Sequence, residues 1–120
     1  METDRLTAVA RGIGSTARVL AEAGFARTIE VLGTARAVVA GDTGLMHMAG
    51  ALGVPLVGLF GPTSARDGFW CYPGEVVSLE LDCAPCSRHG GARCPEAHHA
   101  CMRELPVEQA WQALDRVVSR

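Results

Sequence analysis

The sequence predicts an α/β fold in which a parallel, Rossmann-like sheet is flanked by helices. Three observations favour it: helical and strand patterns alternate, the strand segments are short and apolar, and a tight turn leads from one strand straight into a helix. Short, continuously apolar strands are typical of parallel sheets, because helices cover both faces of such sheets. We therefore predict one partial domain over residues 1–120, with right-handed crossovers.

The first part of the chain is predicted to contain two helices and two strands. Apolar residues at helical intervals indicate helices over residues 4–12 and 25–35. Residues 17–20 have a weak strand pattern, and residues 37–40 form a continuous apolar run that is typical of a buried strand. The buried face expected for the first helix comprises Leu6, Val9, Ala10 and Ile13.

The second part is predicted to continue the same alternation. A turn at residues 41–44 leads into a helix, and the apolar residues 55–60 form the next buried strand. An edge strand is expected over residues 76–81, followed by an irregular cysteine-rich loop at residues 83–103. The chain closes with a helix from Pro106, a residue that is favoured in the first turn. Its expected apolar stripe comprises Val107, Ala110, Trp111, Leu114 and Val118.

Composition and charge exclude several classes of function. A net charge of -2 gives no electrostatic argument for binding nucleic acid or an anionic membrane. The first residues lack the basic and apolar regions of a signal peptide. The uncharged stretch between Asp42 and Arg66 is long enough to span a bilayer, but five glycines and two prolines interrupt it. We expect a cytoplasmic protein without a transmembrane segment.

The turn that precedes the central helix has the chemistry of an anion site. Backbone amides and the helix dipole favour a phosphate at such a turn, and Gly44 allows close approach because it lacks a Cβ. The Thr43 hydroxyl and the His47 imidazole can both donate hydrogen bonds on this side. Asp42 would repel a phosphate, so it either caps the helix or accepts from a sugar hydroxyl. These residues alone are equally compatible with an ordinary helix cap and a surface histidine.

Two segments carry a family resemblance. They are DTGLMHMAGALGVP at residues 42–55 and LFGPT at residues 59–63. Together they resemble the donor-site signature of family 9 glycosyltransferases, the ADP-heptose:lipopolysaccharide heptosyltransferases. The cysteine-rich loop and the last helix are also similar to many members, so the resemblance covers nearly the whole chain.

The resemblance implies how the site residues are used. In this family's pattern, Thr43, Gly44 and His47 would contact the donor diphosphate, and Asp42 would contact the donor sugar. The pocket wall would come from Gly61, Pro62 and Thr63. The donor would be an ADP-sugar, most simply ADP-heptose, for transfer to a lipopolysaccharide core or a related acceptor.

The resemblance also implies that the two lobes of a GT-B enzyme have different roles. The chain matches the C-terminal, donor-binding lobe, whereas the family's acceptor site and catalytic carboxylate belong to the N-terminal lobe. Transfer requires a base on the acceptor hydroxyl, and no residue here qualifies as that base. We therefore expect no catalytic residue and no catalytic cofactor in this chain. A separate N-terminal lobe or a homo-oligomer is the expected partner, in the cytoplasm or at the inner face of the inner membrane.

The cysteine-rich loop is predicted to hold a structural metal ion. Four of the five cysteines, Cys83, Cys86, Cys94 and Cys101, fall within it and begin with a C-x2-C pattern. Four thiolates suit a tetrahedral zinc or iron ion. The alternative is a set of reduced, buried cysteines. The fifth, Cys71 beside Trp70, is expected simply to be packed.

Two other functions remain open at this point. The first is a non-catalytic, metal-stabilised α/β interaction module in which the donor site no longer works. The second is another GT-B relative such as a nucleotide-sugar epimerase, against which the cysteine-rich loop and the LFGPT strand end argue. Nucleotide binding separates the glycosyltransferase hypothesis from the first alternative.

Overall fold

A computed structural model describes residues 2–67 and 71–120 of the chain. The chain divides into two compact units, one ending at Val31 and one running from Leu32 to Arg120. The elements are α1 (Glu2–Ile13), α2 (Gly24–Thr34), β1 (Val38–Gly41), α3 (Gly44–Ala51), β2 (Leu56–Leu59), a short 3-10 turn (Ala65–Asp67), β3 (Gly74–Val77), α4 (Ala100–Arg103) and α5 (Val107–Val118).

The sheet has three parallel strands in the order β1-β2-β3. Gly41 of β1 is level with Leu59 of β2, which in turn is level with Val77 of β3. The carboxyl ends of all three strands therefore lie at one edge of the sheet, where open α/β sheets bind their ligands. The predicted Rossmann-like fold class is confirmed.

Helices cover both faces of this sheet. Adjacent side chains of β2 point to opposite faces, so Leu56 and Val57 belong to different hydrophobic clusters. Leu56 packs in a cluster with Met46 of α3, and Val57 packs in a cluster with Val117 of α5. All four of these side chains are essentially removed from solvent. The continuous apolar character of residues 55–60 follows from this two-sided burial.

The final helix forms as predicted, but its buried face is rotated from the expected stripe. Val107 and Trp111 are 78% and 66% exposed, whereas Ala113 and Val117 are buried on the sheet. The small side chain of Ala113 lets the helix approach Val57 and Val77 closely. The sequence pattern gives most weight to large apolar side chains. It therefore predicts that Trp111, and not Ala113, lies at the centre of the buried face.

Two expectations for the first unit are wrong. Helix α1 extends from Glu2 to Ile13 but contains no buried residue, so the predicted apolar face (Leu6, Val9, Ala10 and Ile13) is not a core face among the described residues. Residues 17–20 form no strand. A strand needs a partner for its backbone N–H and C=O groups, and within residues 2–67 and 71–120 the sheet consists of β1, β2 and β3.

Strand β3 lies at the sheet edge, as predicted, but starts and ends earlier than residues 76–81. Its length is set by its neighbour, because it pairs with the four residues of β2 from Leu56 to Leu59. Its first residue, Gly74, packs against the Leu56 backbone so closely that a Cβ would overlap the Leu56 carbonyl oxygen. Trp70, the expected neighbour of Cys71, lies outside the described residues.

The charge-free stretch between Asp42 and Arg66 forms helix α3, a turn and strand β2. Over residues 2–67 and 71–120, no helix has the length and apolar character that crossing a membrane requires.

Candidate functional site

The turn between β1 and α3 brings together the residues of the predicted anion site. Thr43 is the N-cap of α3, with an extended backbone (φ -139°, ψ 167°) and no hydrogen bond from its side chain to the helix. The first backbone bonds of the helix run from Met46 and His47 to the Thr43 carbonyl oxygen, at 3.1 and 3.4 Å. The amides of Gly44 and Leu45 precede these bonds and point out of the helix end. Thr43, Gly44 and Leu45 are all exposed, so no described side chain buries the turn.

Asp42 and His47 form a pair across this turn. The His47 Nε2 atom lies 3.5 Å from the Asp42 Oδ1 atom, with side-chain exposures of 42% for the histidine and 13% for the aspartate. The carboxylate is thus directed at the imidazole and is largely covered. Of the two roles left open for Asp42, the helix cap is not seen, because Thr43 occupies the N-cap position.

The neighbouring strand end supplies the second part of the predicted site. Gly41 and Leu59 are partners in the sheet, so the residues that follow them emerge side by side. Gly61 and Thr63 are buried, the latter with 6% of its surface exposed, and Pro62 is half-buried. Both Gly61 and Thr63 line a groove, and their burial places them in its floor.

This groove opens at the carboxyl ends of β2 and β3 and has a volume of about 860 Å³. Its charged lining residues are Arg66, Asp67, Glu80 and Asp82. Sequence reasoning missed these four, although Arg66 and Asp67 follow the LFGPT segment within a few residues. Carboxylates accept hydrogen bonds well from sugar hydroxyls, whereas only Arg66 among the four suits a phosphate. The groove and the β1–α3 turn therefore offer different chemistry at one edge of the sheet.

Four cysteines, Cys83, Cys86, Cys94 and Cys101, form a second cluster, which we call the four-cysteine cluster. All four line one small cavity of about 110 Å³, together with Glu96 and His98. All are free thiols. The four cysteines of the predicted metal site therefore share one cavity.

The metal ion predicted for this cluster is not confirmed. Within residues 2–67 and 71–120, no three His, Cys, Asp or Glu side chains are arranged to hold a metal. The thiols nevertheless influence one another: burial, followed by the neighbouring charges of Cys86, Cys94 and Cys83, raises the pKa of the Cys101 thiol. Backbone N–H groups of His99 and His98 lower the pKa of the Cys94 thiol.

The cysteine-rich loop is fastened to the end of β2. The backbone N–H groups of Cys86 and Ser87 both donate to the Pro62 carbonyl oxygen at 3.0 Å. A Cβ added to Gly61 would lie 2.6 Å from the Met102 Sδ atom and 3.1 Å from the Cys101 Sγ atom. The side of Gly61 is therefore filled by the loop. This contact explains in steric terms why a glycine follows the strand here, which the sequence alone did not show.

Strands that end level with one another, beside a helix whose first amides are exposed, define an α/β domain of the class that binds ligands at the carboxyl edge of its sheet. The comparisons with known proteins identify its family. Residues 1–94 match the family model described as glycosyltransferase family 9 (heptosyltransferase). Because this match covers more than half of the chain, the chain belongs to glycosyltransferase family 9.

Curated relatives agree with the family model. The chain is 46% identical over 111 residues to lipopolysaccharide heptosyltransferase 1 of Pseudomonas aeruginosa, a match that covers 90% of this chain and 30% of the relative. It is 36% identical over 70 residues to lipooligosaccharide heptosyltransferase 2 of Campylobacter jejuni, covering 57% of this chain and 21% of that protein. The chain thus spans about a third or less of these relatives. No solved structure matches it significantly.

Proposed function

We infer that this chain is the donor-binding part of a glycosyltransferase and that it binds an ADP-sugar, most simply ADP-heptose. The transferred sugar would go to a lipopolysaccharide core or a related acceptor. Membership of family 9 and the heptosyltransferase relatives support this inference. The observation that carries it is the exposed β1–α3 turn, where the Thr43 side chain makes no cap bond to the helix and His47 pairs with Asp42 close by.

In this proposal the diphosphate binds at the start of α3. The amides of Gly44 and Leu45 would donate to phosphate oxygens, and the positive end of the helix dipole would add to the attraction. The Thr43 hydroxyl makes no cap bond to the helix, so it would donate to the ligand. As the sugar leaves, negative charge grows on the diphosphate, and these donors stabilise it.

The pairing of Asp42 with His47 accounts for a carboxylate near a diphosphate. Its Oδ1 atom faces the imidazole at 3.5 Å, and little of the side chain is exposed. Asp42 would therefore hold the ring in the orientation that lets its other side face the ligand. In the proposal Asp42 is a positioning residue, and its carboxylate would also accept a hydrogen bond from a sugar hydroxyl.

The remaining parts of the donor would extend toward the end of β2. Gly61 and Thr63, which line the groove, would form the floor of the pocket together with Pro62 between them, and the carboxylates of the groove would accept from hydroxyl groups. No described residue is assigned as a catalytic base, and transfer of this type needs no catalytic cofactor. The protein would act in the cytoplasm or at the inner face of the inner membrane, and the acceptor site would come from an N-terminal lobe or from a second copy of the chain.

Gly44 provides the sharpest test, because its proposed role is independent of folding. A Cβ at Gly44 meets nothing within 4 Å, and the residue is not in the left-handed region. Gly44→Ala should therefore leave the fold intact and stabilise the helix by up to about 1 kcal/mol. The added methyl group would lie where a phosphate approaches, so ADP affinity measured by calorimetry should fall about tenfold or more.

The matched control is Gly33→Ala in helix α2, where an added Cβ also meets nothing within 4 Å. This variant should gain a similar helix stability and keep the wild-type affinity for ADP. Thr43→Ala should lose affinity as Gly44→Ala does. Equal ADP affinity in wild-type and Gly44→Ala protein would show that the diphosphate does not bind at this turn.

The alternative of a non-catalytic, metal-stabilised interaction module is not favoured, because the family and the relatives are glycosyltransferases. The same calorimetry separates the two functions. A folded chain with no measurable affinity for ADP or an ADP-sugar would support the interaction module.

A further inference from the structure

The four-cysteine cluster has an arrangement that the donor site does not use. Its thiols come from two separated stretches of one loop and line a single cavity of about 110 Å³. We propose that the cluster binds one zinc ion through all four thiolates and that this ion locks the loop onto the end of strand β2.

The loop is fastened at the Pro62 carbonyl oxygen, but most of its length has no regular secondary structure. Residues 78–99 contain no helix or strand, and the four cysteines are at most half-buried. A chain segment of this length has a high conformational entropy to overcome, and it has few buried apolar contacts to offset it. A tetrahedral ion that joins Cys83 and Cys86 to Cys94 and Cys101 would cross-link the whole loop at one point.

Four thiolates around a cavity match the preference of zinc for sulfur. Zinc binds thiolates at about 2.3 Å in a tetrahedron, which places neighbouring sulfurs about 3.8 Å apart. No three of the described side chains stand at metal-binding distances. Binding therefore requires the four thiols to draw closer together, and residues 78–99 contain no helix or strand whose hydrogen bonds would oppose that movement.

The histidine in the cavity is a neighbour of the ligands and not one of them. The His98 Nδ1 atom accepts a hydrogen bond from the Ala100 backbone N–H at 3.1 Å and lies 3.9 Å from the Cys94 Sγ atom. An accepting Nδ1 leaves the proton on Nε2, so neither ring nitrogen is prepared to bind zinc. His98 would instead hold the turn that presents Cys94.

The proposed ion connects directly to the pocket wall. Cys86 donates its backbone N–H to the Pro62 carbonyl oxygen at 3.0 Å, and the Cys101 Sγ atom fills the space beside Gly61. Two of the four ligands thus touch the segment that the proposed function places in the donor pocket. The zinc site is independent of that function, whereas its effect on donor affinity rests on it.

Metal analysis of the full chain, purified without added metal, tests the site. The expected result is about one equivalent of zinc per chain, with the four thiols slow to react until a chelator is added. Cobalt added to the chelated chain should produce the visible bands of a tetrahedral cobalt thiolate. Zinc far below one equivalent, four freely reactive thiols and no cobalt spectrum in folded wild-type protein would overturn the proposal.

Matched variants assign the ligands. Cys83→Ser and Cys101→Ser should each lose most of the bound zinc and melt at a lower temperature, whereas Cys71→Ala should keep its zinc. Cys71 is the control because it lies in the Met46–Leu56 core cluster and outside the cavity. His98→Gln should also keep its zinc. Retention of one equivalent of zinc by both serine variants would refute the ligand set, and if these variants fail to fold, the cobalt spectrum of the wild-type chain decides.

Donor binding supplies the readout that separates this inference from the proposed function. If both hold, chelation lowers ADP affinity, and zinc restores it. Zinc at one equivalent without any ADP affinity would support the metal site and contradict the proposed function. ADP affinity in a chain that binds no zinc would support the proposed function and contradict the metal site.

Discussion

Substitution of Gly61 by alanine tests how the cysteine-rich loop is seated on the sheet. The new Cβ would lie 2.6 Å from the Met102 Sδ atom, about 0.8 Å inside the 3.4 Å at which ordinary contacts begin. It would also lie 3.1 Å from the Cys101 Sγ atom, which a shift of a few tenths of an ångström relieves. Overpacking of this kind costs about 1–3 kcal/mol. We expect a value of about 1–2 kcal/mol, because Met102 is flexible and 42% exposed.

A double-mutant cycle identifies the source of that cost. Met102→Ala removes the side chain that the new methyl group meets, so the double variant should recover most of the lost stability. The coupling between the two sites should be about 1 kcal/mol or more, as for residues in direct contact. Urea unfolding followed by far-UV circular dichroism measures all four proteins.

The control for this cycle is Gly91→Ala in the same loop, where an added Cβ meets nothing within 4 Å. It should change the free energy of unfolding by less than about 0.5 kcal/mol. If the changes in unfolding free energy caused by Gly61→Ala and Met102→Ala were additive, Met102 would not pack against Gly61. The contact between the cysteine-rich loop and the end of β2 would then be wrong.

Further predictions concern the core and the thiols. Val117→Ala should destabilise the chain by about 2 kcal/mol in urea unfolding because the side chain is 2% exposed, whereas Val107→Ala, 78% exposed, should have almost no effect. Gly74→Ala should lower the free energy of unfolding by more than about 3 kcal/mol, because the new Cβ would overlap the Leu56 carbonyl group of β2, which cannot move independently. A variant as stable as the wild type would exclude the parallel pairing of β3 with β2. At pH 8 in the presence of a chelator, Cys71 should be alkylated more slowly than Cys94. Burial raises the pKa of the Cys71 thiol, whereas backbone N–H groups lower the pKa of the Cys94 thiol. Mass spectrometry of the modified peptides measures the order of reaction, and the opposite order would show that these environments are wrong.

The sequence predicted β2 well because its burial is two-sided. Residues 55–60 are apolar without interruption, since β2 contacts α3 through one face and α5 through the other. Residues 37–40 are equally apolar, but Val39 of β1 is 46% exposed, so the two-sided burial predicted for that run is wrong. The turn before α3 was also predictable, because a glycine and a polar cap must stand between a buried strand and a helix that starts at once. These are local patterns that depend little on distant parts of the chain.

Features that depend on tertiary contacts were not predictable in the same way. The buried face of α5 is set by the small side chain of Ala113 and not by the large Trp111. The length of β3 is fixed by its pairing with the four residues of β2. Residues 17–20 have the composition of a strand but no neighbouring strand to pair with.

The candidate site also combines features that follow from local sequence with features that depend on tertiary contacts. The positions of Thr43, Gly44 and His47 follow from the helical repeat, because a residue three positions after the first helical residue returns to the same side. The pairing of Asp42 with His47, and the contact of Gly61 with Met102, join residues whose relation appears only in three dimensions. Gly61 in particular has both a steric reason and a proposed functional reason to be glycine.

The most direct measurement of the central claim is a crystal structure of the chain with ADP bound. The diphosphate should lie on the amides of Gly44 and Leu45, within hydrogen-bond distance of the Thr43 hydroxyl and the His47 imidazole. The Asp42 carboxylate should still face the imidazole ring. A diphosphate bound elsewhere, with these amides facing only water, would contradict the proposed role of the β1–α3 turn.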